Sequence, residues 1–320
     1  MRTILITGGT GLIGRALVQQ LTDKNYRVII LTRSLENKVS DDRITFALWD
    51  PAGGTINKDA VRAADGIIHL AGAGVMDKKW TEAYKKEILD SRAKSTALLI
   101  EALDGDLRRV KVFVSASATG WYGPDKIPGH SFTEDEPADT AFLGEVCRQW
   151  EESTQPAEAL GIRVCRLRTG IVLDPGGGAY AEFRAPLKLG LATILSTGLQ
   201  VVSWIHIEDL CRQYIFALEN ENMRGSFNAV APGLVTNKTL TLTIAKKVRG
   251  KFYLPIHVPA FILKIMLGGR SIEILKSVTV SSKKISALGF TFYYPRIDAA
   301  VEEIEGRKIR DDRRKMTDDR

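Results

Sequence analysis

ITGGTGLIGRAL, residues 6–17, sets three glycines at the spacing G-x-x-G-x-x-G. Just before them, residues 3–7 (TILIT) are apolar and β-branched without alternation, the pattern of a strand buried on both faces. Just after, Leu12, Ile13, Ala16, Leu17 and Leu21 fall on one side of a helix. Strand, glycine turn and helix in that order form a cradle for a diphosphate. Gly8 lets the chain turn off the strand. Gly11 lets the backbone approach a pyrophosphate with no Cβ in the way, and Gly14 lets the helix close onto the sheet. The helix N-terminus offers N–H groups and a positive dipole end to the phosphates. Thr10, Leu12 and Ile13 occupy the same turn and complete the predicted contact set.

Working outward, residues 27–32 (RVIILT), 66–70 (GIIHL), 110–115 (VKVFVS) and 163–167 read as further buried strands. Residues 80–103 and 145–160 have helical periodicity. Strand and helix in alternation predict an α/β fold: a Rossmann-type doubly wound parallel sheet, helices on both faces. Beyond residue 173 the rhythm breaks at Gly176–Gly178, Pro186 and Pro255. Residues 201–207 and 226–229 read as short strands, 240–248 and 285–288 as helices. The predicted division is a nucleotide-binding domain of residues 1–173 plus 201–230. Residues 174–200 plus 231–305 form a smaller C-terminal substrate lobe over its nicotinamide end. Residues 306–320, with seven basic and four acidic side chains, read as a charged flexible tail.

The tip of the second strand selects the nucleotide. NAD sites place Asp or Glu there, roughly 20 residues beyond the glycines, to hold the ribose hydroxyls. This chain has Thr32-Arg33-Ser34. A carboxylate would repel a 2′-phosphate, whereas Arg33 can pair with it bidentately and Ser34 can donate to it. The predicted cofactor is NADP(H).

The bulk numbers exclude other classes. Net charge is +7, with no basic stripe interleaved with aromatics, so no nucleic-acid partner is expected. Cys147, Cys165 and Cys211 are few, odd and far apart, which fits a reducing compartment without disulfides or a zinc ribbon. The opening MRTILITGG reaches glycine too early for a secretory leader, and the expected location is the cytoplasm. No apolar run is long enough to span a bilayer; residues 259–267 (PAFILKIML) are too short and contain Lys264, so no membrane partner is expected. His206, beside Glu208 and Asp209, has no second ligand group at zinc spacing, and no metal site is predicted.

Several motifs resemble the extended short-chain dehydrogenase/reductase family of sugar-nucleotide epimerases and dehydratases. Residues 68–72 (IHLAG) resemble its strand end beside the cofactor, and 115–123 (SASATGWYG) its serine strand and turn. Residues 204–210 (WIHIEDL) and 225–232 (GSFNAVAP) resemble two later segments. A closer similarity is to an atypical epimerase subgroup, through residues 86–92 (KEILDSR), 142–151 (FLGEVCRQWE), 168–179 (RTGIVLDPGGGA) and 289–295 (GFTFYYP). The resemblance runs to about residue 305. It implies cofactor contacts at His69, Leu70, Ala71, Gly72, Glu87, Arg92, Ser115 and Ile171, a small-molecule substrate that is nucleotide-linked in many relatives, and a homodimer. The chain departs from the subgroup at residues 189–199 (LGLATILSTGL), where glycines are usual.

A second departure is chemical. The family uses Tyr-x-x-x-Lys on the helix after the serine strand: the phenol moves a proton, and the ammonium lowers its pKa and holds the nicotinamide ribose. Residues 137–160 contain neither Tyr nor Lys; Leu143 and Cys147 fall in their places. Ser117 matches the family's serine. Candidate replacement acids are Tyr122, Glu145 and Cys147. The expectation is an NADP(H)-binding oxidoreductase or epimerase-like protein, the alternative a non-catalytic NADPH-binding sensor or regulator.

Overall fold

The glycine turn leaves a strand in the middle of a sheet. The structure, a computed structural model, describes residues 2–103 and 109–318. In chain order it runs β1 (Thr3–Thr7), α1 (Leu12–Asp23), β2 (Arg27–Thr32), β3 (Ile44–Asp50), β4 (Thr55–Ile56), α2 (Lys58–Ala63), β5 (Gly66–His69), α3 (Glu82–Glu101), β6 (Val112–Ala118), α4 (Phe142–Glu152), α5 (Gln155–Ala159) and β7 (Arg163–Thr169). It continues with β8 (Ile171–Leu173), α6 (Gly178–Arg184), β9 (Leu191–Leu195), β10 (Val201–Val202), β11 (Trp204–His206), α7 (Ile207–Glu219), β12 (Gly225–Ala229) and β13 (Val235–Thr236). It ends with α8 (Asn237–Arg249), β14 (Leu254–Val258), α9 (Ala260–Leu267), α10 (Ser271–Leu275), α11 (Lys283–Ala287) and α12 (Ile297–Asp318).

Among the described residues, the main sheet has the order β12-β7-β6-β5-β1-β2-β3-β4. Every pairing is parallel except β3 with β4. The chain builds outward from β1 through β2 and β3, then returns to place β5 on the other side of β1. The order therefore reverses between β1 and β5, and ligands of such sheets bind outside the carboxyl ends of the strands at that point. The sheet is the expected Rossmann-type architecture.

Both faces are covered. Leu17 and Leu21 of α1 pack with Leu210, Tyr214 and Leu218 of α7 on one face. Leu99 of α3 joins Leu5, Ile67 and Phe113 on the other. Each fully buried side chain of this size stabilises the fold by about 1.5–3 kcal/mol. β3, β4 and α2 are absent from the sequence reading. In β3 (ITFALWD) burial alternates only partly, and at the outer part of the sheet the apolar signal is weaker than in β1 or β2.

The second lobe has its own core, in which Leu173, Tyr180, Trp204, Leu240, Ile244 and Val301 meet. The C-terminal segment does not stay within it. Residues 277–280 pass between the lobes, held by the Ser203 hydroxyl, which donates to Val278 O (2.7 Å) and accepts from Val280 N (3.1 Å). Ile285 and Phe290 then enter the core of the main sheet. The Asp209 carboxylate on α7 accepts from the backbone N–H groups of Tyr293 and Tyr294, both at 2.8 Å. One further element differs from expectation. Where the sequence reads as a flexible tail from residue 306, α12 continues to Asp318, and Arg307 pairs with Glu303 one turn back and with Glu208. Opposite charges at i and i+4 support a helix that apolar periodicity alone does not announce.

Candidate functional site

The glycine turn is built as a cradle. Gly8 has φ of +69°, and a Cβ there would meet the backbone of Leu70 and Ala71 at 3.0 and 3.1 Å. A Cβ on Gly14 would stand 2.2 Å from the Gly8 carbonyl oxygen, so only glycine lets α1 pack this close. Gly11 is different. It caps α1 with no side-chain hydrogen bond, and the nearest atom to an added Cβ is 3.3 Å away. That contact, with the Gly8 carbonyl oxygen, is tight but far looser than the one at Gly14, and a diphosphate lying on the helix N-terminus would crowd the position further. The first turn of α1 carries no acidic residue to compete with an anion. These features fit a dinucleotide. From the second lobe, the loop 176–178 reaches the same place: a Cβ on Gly178 would lie 3.0 Å from the Leu12 side chain.

At the carboxyl end of β2, Thr32 Oγ1 donates to Ser34 O (2.9 Å), and Ser34 Oγ accepts from Glu36 N (3.1 Å). These bonds curl the loop and leave Arg33 exposed, with no ion pair among the described residues. At the carboxyl end of β5 the Thr7 hydroxyl accepts from Leu70 N (3.1 Å) and Ala71 N (3.2 Å), which shapes the backbone beside the cradle. The same hydroxyl lies 2.7 Å from His69 Nδ1, and His69 Nε2 lies 3.1 Å from Ser95 Oγ. Burial, reinforced by the Arg92 charge, pushes the His69 pKa down to about 3. His69 is thus a neutral core histidine, its ring held between Thr7 and Ser95. Ser115 is buried mid-sheet beside it, its hydroxyl donating to Ala116 O. Ile171 opens β8 at the junction of the lobes. Glu87 is exposed and paired with Lys78 at 3.3 Å.

Arg92, on α3, faces Gly72 just past the carboxyl end of β5. It is buried, its Nη1 donating to Ala73 O (3.0 Å) and Ile88 O (2.9 Å), with the guanidinium 4.8 Å from the Trp150 ring. A Cβ on Gly72 would lie 3.1 Å from Arg92 Cζ. Among the described residues no carboxylate pairs with it. A buried guanidinium without a counter-ion, at the carboxyl end of β5, is chemically suited to an anionic or hydroxyl-rich ligand.

The replacement acids are corrected by their surroundings. Glu145 is held by Arg148 (2.5 Å) and Gln149 on the surface of α4, and its carboxyl is pulled down to about 2. It is an anion at neutral pH and has no proton to give. Cys147 is buried, its thiol pushed up to about 12 by burial and then by Glu151, and it donates only to Ala118 O at 3.6 Å. Tyr122 is buried, donating to Asn228 Oδ1 (2.7 Å) and accepting from Arg168 Nη1 (3.0 Å), with its phenol raised to about 12. Leu143 faces Gly120, where an added Cβ would lie 3.3 Å away.

Ser117 belongs to a network that sequence reasoning missed. Its hydroxyl donates to Glu151 Oε1 at 2.7 Å. Arg168 grips the same carboxylate through Nε (2.8 Å) and Nη2 (3.0 Å), and the Ser226 hydroxyl completes it at 2.7 Å. The Arg168 guanidinium also stacks 3.6 Å from the Trp121 ring centre. Glu151 and Arg168 lie within quoted motifs, but an acid and a base 17 residues apart carry no sign in sequence that they meet. His206 caps α7, accepting from Glu208 N, and reaches Glu303 through Nε2 at 3.1 Å. Among the described residues no group of three His, Cys, Asp or Glu side chains could hold a metal.

Comparison with known proteins places this arrangement. The profile of the NAD dependent epimerase/dehydratase family matches residues 4–229, and that of Domain of unknown function (DUF1731) matches residues 258–304. Epimerase family proteins of Staphylococcus haemolyticus and Staphylococcus aureus (strain N315) are each 35% identical over 308 residues, covering 95% of this chain and 99% of theirs. Among solved structures, the human epimerase family protein SDR39U1 (isoform 2) with NADPH superposes with a TM-score of 0.81 at 28% identity, covering 94% of this chain and 98% of that one. A nucleoside-diphosphate sugar epimerase from Corynebacterium glutamicum gives 0.73 at 29% identity, covering 99% of this chain and 67% of that one. With a glycine cradle at its switch point and these matches over most of its length, the chain belongs to the NAD dependent epimerase/dehydratase family.

Proposed function

We propose that this protein binds NADP(H) and acts as an oxidoreductase or epimerase-like enzyme on a small molecule. The observation that carries the reading is the pairing of the glycine cradle at the N-terminus of α1 with an exposed Arg33 at the tip of β2, which has no ion-pair partner among the described residues. The N-terminus of α1 holds the diphosphate, and Arg33 and Ser34 take the 2′-phosphate. Arg92 receives the ligand beside Gly72, where among the described residues its charge meets no protein anion. When bound, the nicotinamide supplies hydride chemistry. That the human relative was solved with NADPH supports the choice of dinucleotide.

The test is a fluorescence titration with all four nicotinamide dinucleotides. NADP(H) should bind at least about tenfold more tightly than NAD(H), and Arg33→Asp should reverse that order. Equal affinities would discredit the role of Arg33. A second reading, a non-catalytic NADPH-binding sensor, is favoured by one observation: Glu145 is ionised, Cys147 and Tyr122 are buried weak acids whose protons are already donated within the protein, and Leu143 carries no proton. Consumption of NADPH with any member of a carbonyl panel selects the enzyme; binding without consumption selects the sensor.

A further inference from the structure

The second lobe carries a surface that the nucleotide site does not use. Helix α9 reads AFILKIML. Leu263 is buried and anchors it. Phe261 and Ile265, on the opposite side of the helix, are 63% and 79% exposed, and Met266 beside them is 63% exposed. Lys264 flanks Phe261 and Ile265 on the other side, and it lines an open cleft of about 590 Å³ together with Leu199 and Ile272, themselves 71% and 60% exposed. Five large apolar side chains standing in solvent around one short helix and its neighbouring cleft exceed the scattered exposure normal for a monomer.

The charge around them is predominantly positive, and the neighbouring Glu273 is neutralised by Lys276 of the cleft at 2.8 Å. Residues 222–272 contain eight of the 45 basic side chains and none of the 38 acidic ones, whereas the rest of the chain sums to −1. Lys238 is exposed and packs beside Gly198 at the rim of the same cleft. Neither Lys238 nor Lys264 pairs with a carboxylate among the described residues. A self-complementary contact between two copies would set these cations against each other. Apolar side chains that can sink below the headgroups, bordered by unpaired lysines, instead match the interface of an anionic bilayer. Adsorption of this kind needs no spanning segment, and among the described residues no helix is long and apolar enough to cross a membrane.

We infer that α9, with Leu199 and Ile272 at its side, is a peripheral docking surface for a membrane rich in anionic lipid. Arg270, just past α9, donates through Nη1 to Met76 O at 2.7 Å, so a docked lobe would hold the loop after β5 close to the lipid surface. The inference stands apart from the nucleotide reading, since its test uses no cofactor.

The experiment is co-sedimentation of the whole protein with vesicles of phosphatidylcholine, with or without about 30% phosphatidylglycerol. About tenfold more protein should sediment with the anionic vesicles, and high salt should remove most of that difference. The double variant Phe261→Ser, Ile265→Ser should lose binding to both kinds of vesicle. Lys264→Glu, which changes no packed residue, should lose the anionic preference even if the double variant folds poorly. Equal sedimentation with neutral and anionic vesicles, or none with either, would overturn the inference. So would self-association in sedimentation velocity that Lys264→Glu strengthens, since the face would then be an interface between copies.

Discussion

Gly11 and Gly14 are three residues apart, and the surrounding atoms give them different duties. Gly14→Ala would force a Cβ against the backbone oxygen of Gly8, so α1 or the turn must move, at a cost of about 1–3 kcal/mol. Gly11→Ala puts its Cβ 3.3 Å from the same oxygen, which needs a shift of only a few tenths of an ångström, at a φ of −75° that alanine accepts, so it should cost less, about 1 kcal/mol. Nucleotide affinity should nevertheless fall by about tenfold or more, because the new methyl occupies the approach of the diphosphate. Urea melts alongside NADPH titrations separate the two effects; a Gly11→Ala protein that binds as tightly as the parent would show that no ligand comes close there. His69 makes a second residue-scale prediction. It stays neutral in the fold to about pH 3, whereas in the unfolded chain it takes a proton near its ordinary 6.5. Between those values the unfolded state holds the extra proton, so stability falls on acidification, by up to about 1.4 kcal/mol per pH unit, and is unaffected above that window. His69→Gln should flatten that part of the curve of stability against pH. An unchanged slope would mean that the imidazole is not kept neutral.

At the scale of elements, the Glu151–Arg168 pair joins α4 to β7 and draws in β6 through Ser117 and β12 through Ser226. Both partners are buried, so removing one charge strands the other. Glu151→Gln should cost about 3–5 kcal/mol, while Glu145→Gln, on the exposed side of the same helix, should leave the urea midpoint nearly unchanged. Similar midpoints for the two variants would remove the network from the account of the fold. The network also explains why α4 keeps its position without the family's tyrosine and lysine. Its inner face is fixed by a buried ion pair and by Leu143 against Gly120, and neither contact needs a proton donor.

At the scale of the molecule, the C-terminal segment ties the two lobes together. Asp125 accepts from Ser277 Oγ, Thr279 N and Thr279 Oγ1, Ser203 brackets Val278 and Val280, and Asp209 holds Tyr293 and Tyr294. Phe290 then packs against Phe216 of α7, with ring centres 5.6 Å apart. A boundary drawn in the sequence at residue 231 therefore separates stretches of chain but not cores: Leu240 and Ile244 belong to the second lobe, Ile285 and Phe290 to the first.

What the residues determined unaided is the part of the protein governed by short-range rules. TILIT followed by three spaced glycines is sufficient to specify a buried strand, a tight turn and a helix start, because β-branching, a positive φ and the missing Cβ act within a few residues. The same locality made Arg33 legible at the tip of β2, and the loss of Tyr and Lys legible on α4. Only the tertiary structure decided whether each candidate side chain has a free proton or a free charge. Arg92 and Arg168 are both buried arginines, yet among the described residues one meets no carboxylate and the other meets Glu151; Glu145 and Glu151 share a helix, yet one makes a surface ion pair and the other a buried one. Charge state and hydrogen-bond partners depend on which distant segments converge. That convergence is set by packing across the whole chain and leaves no periodic trace in any one stretch of it.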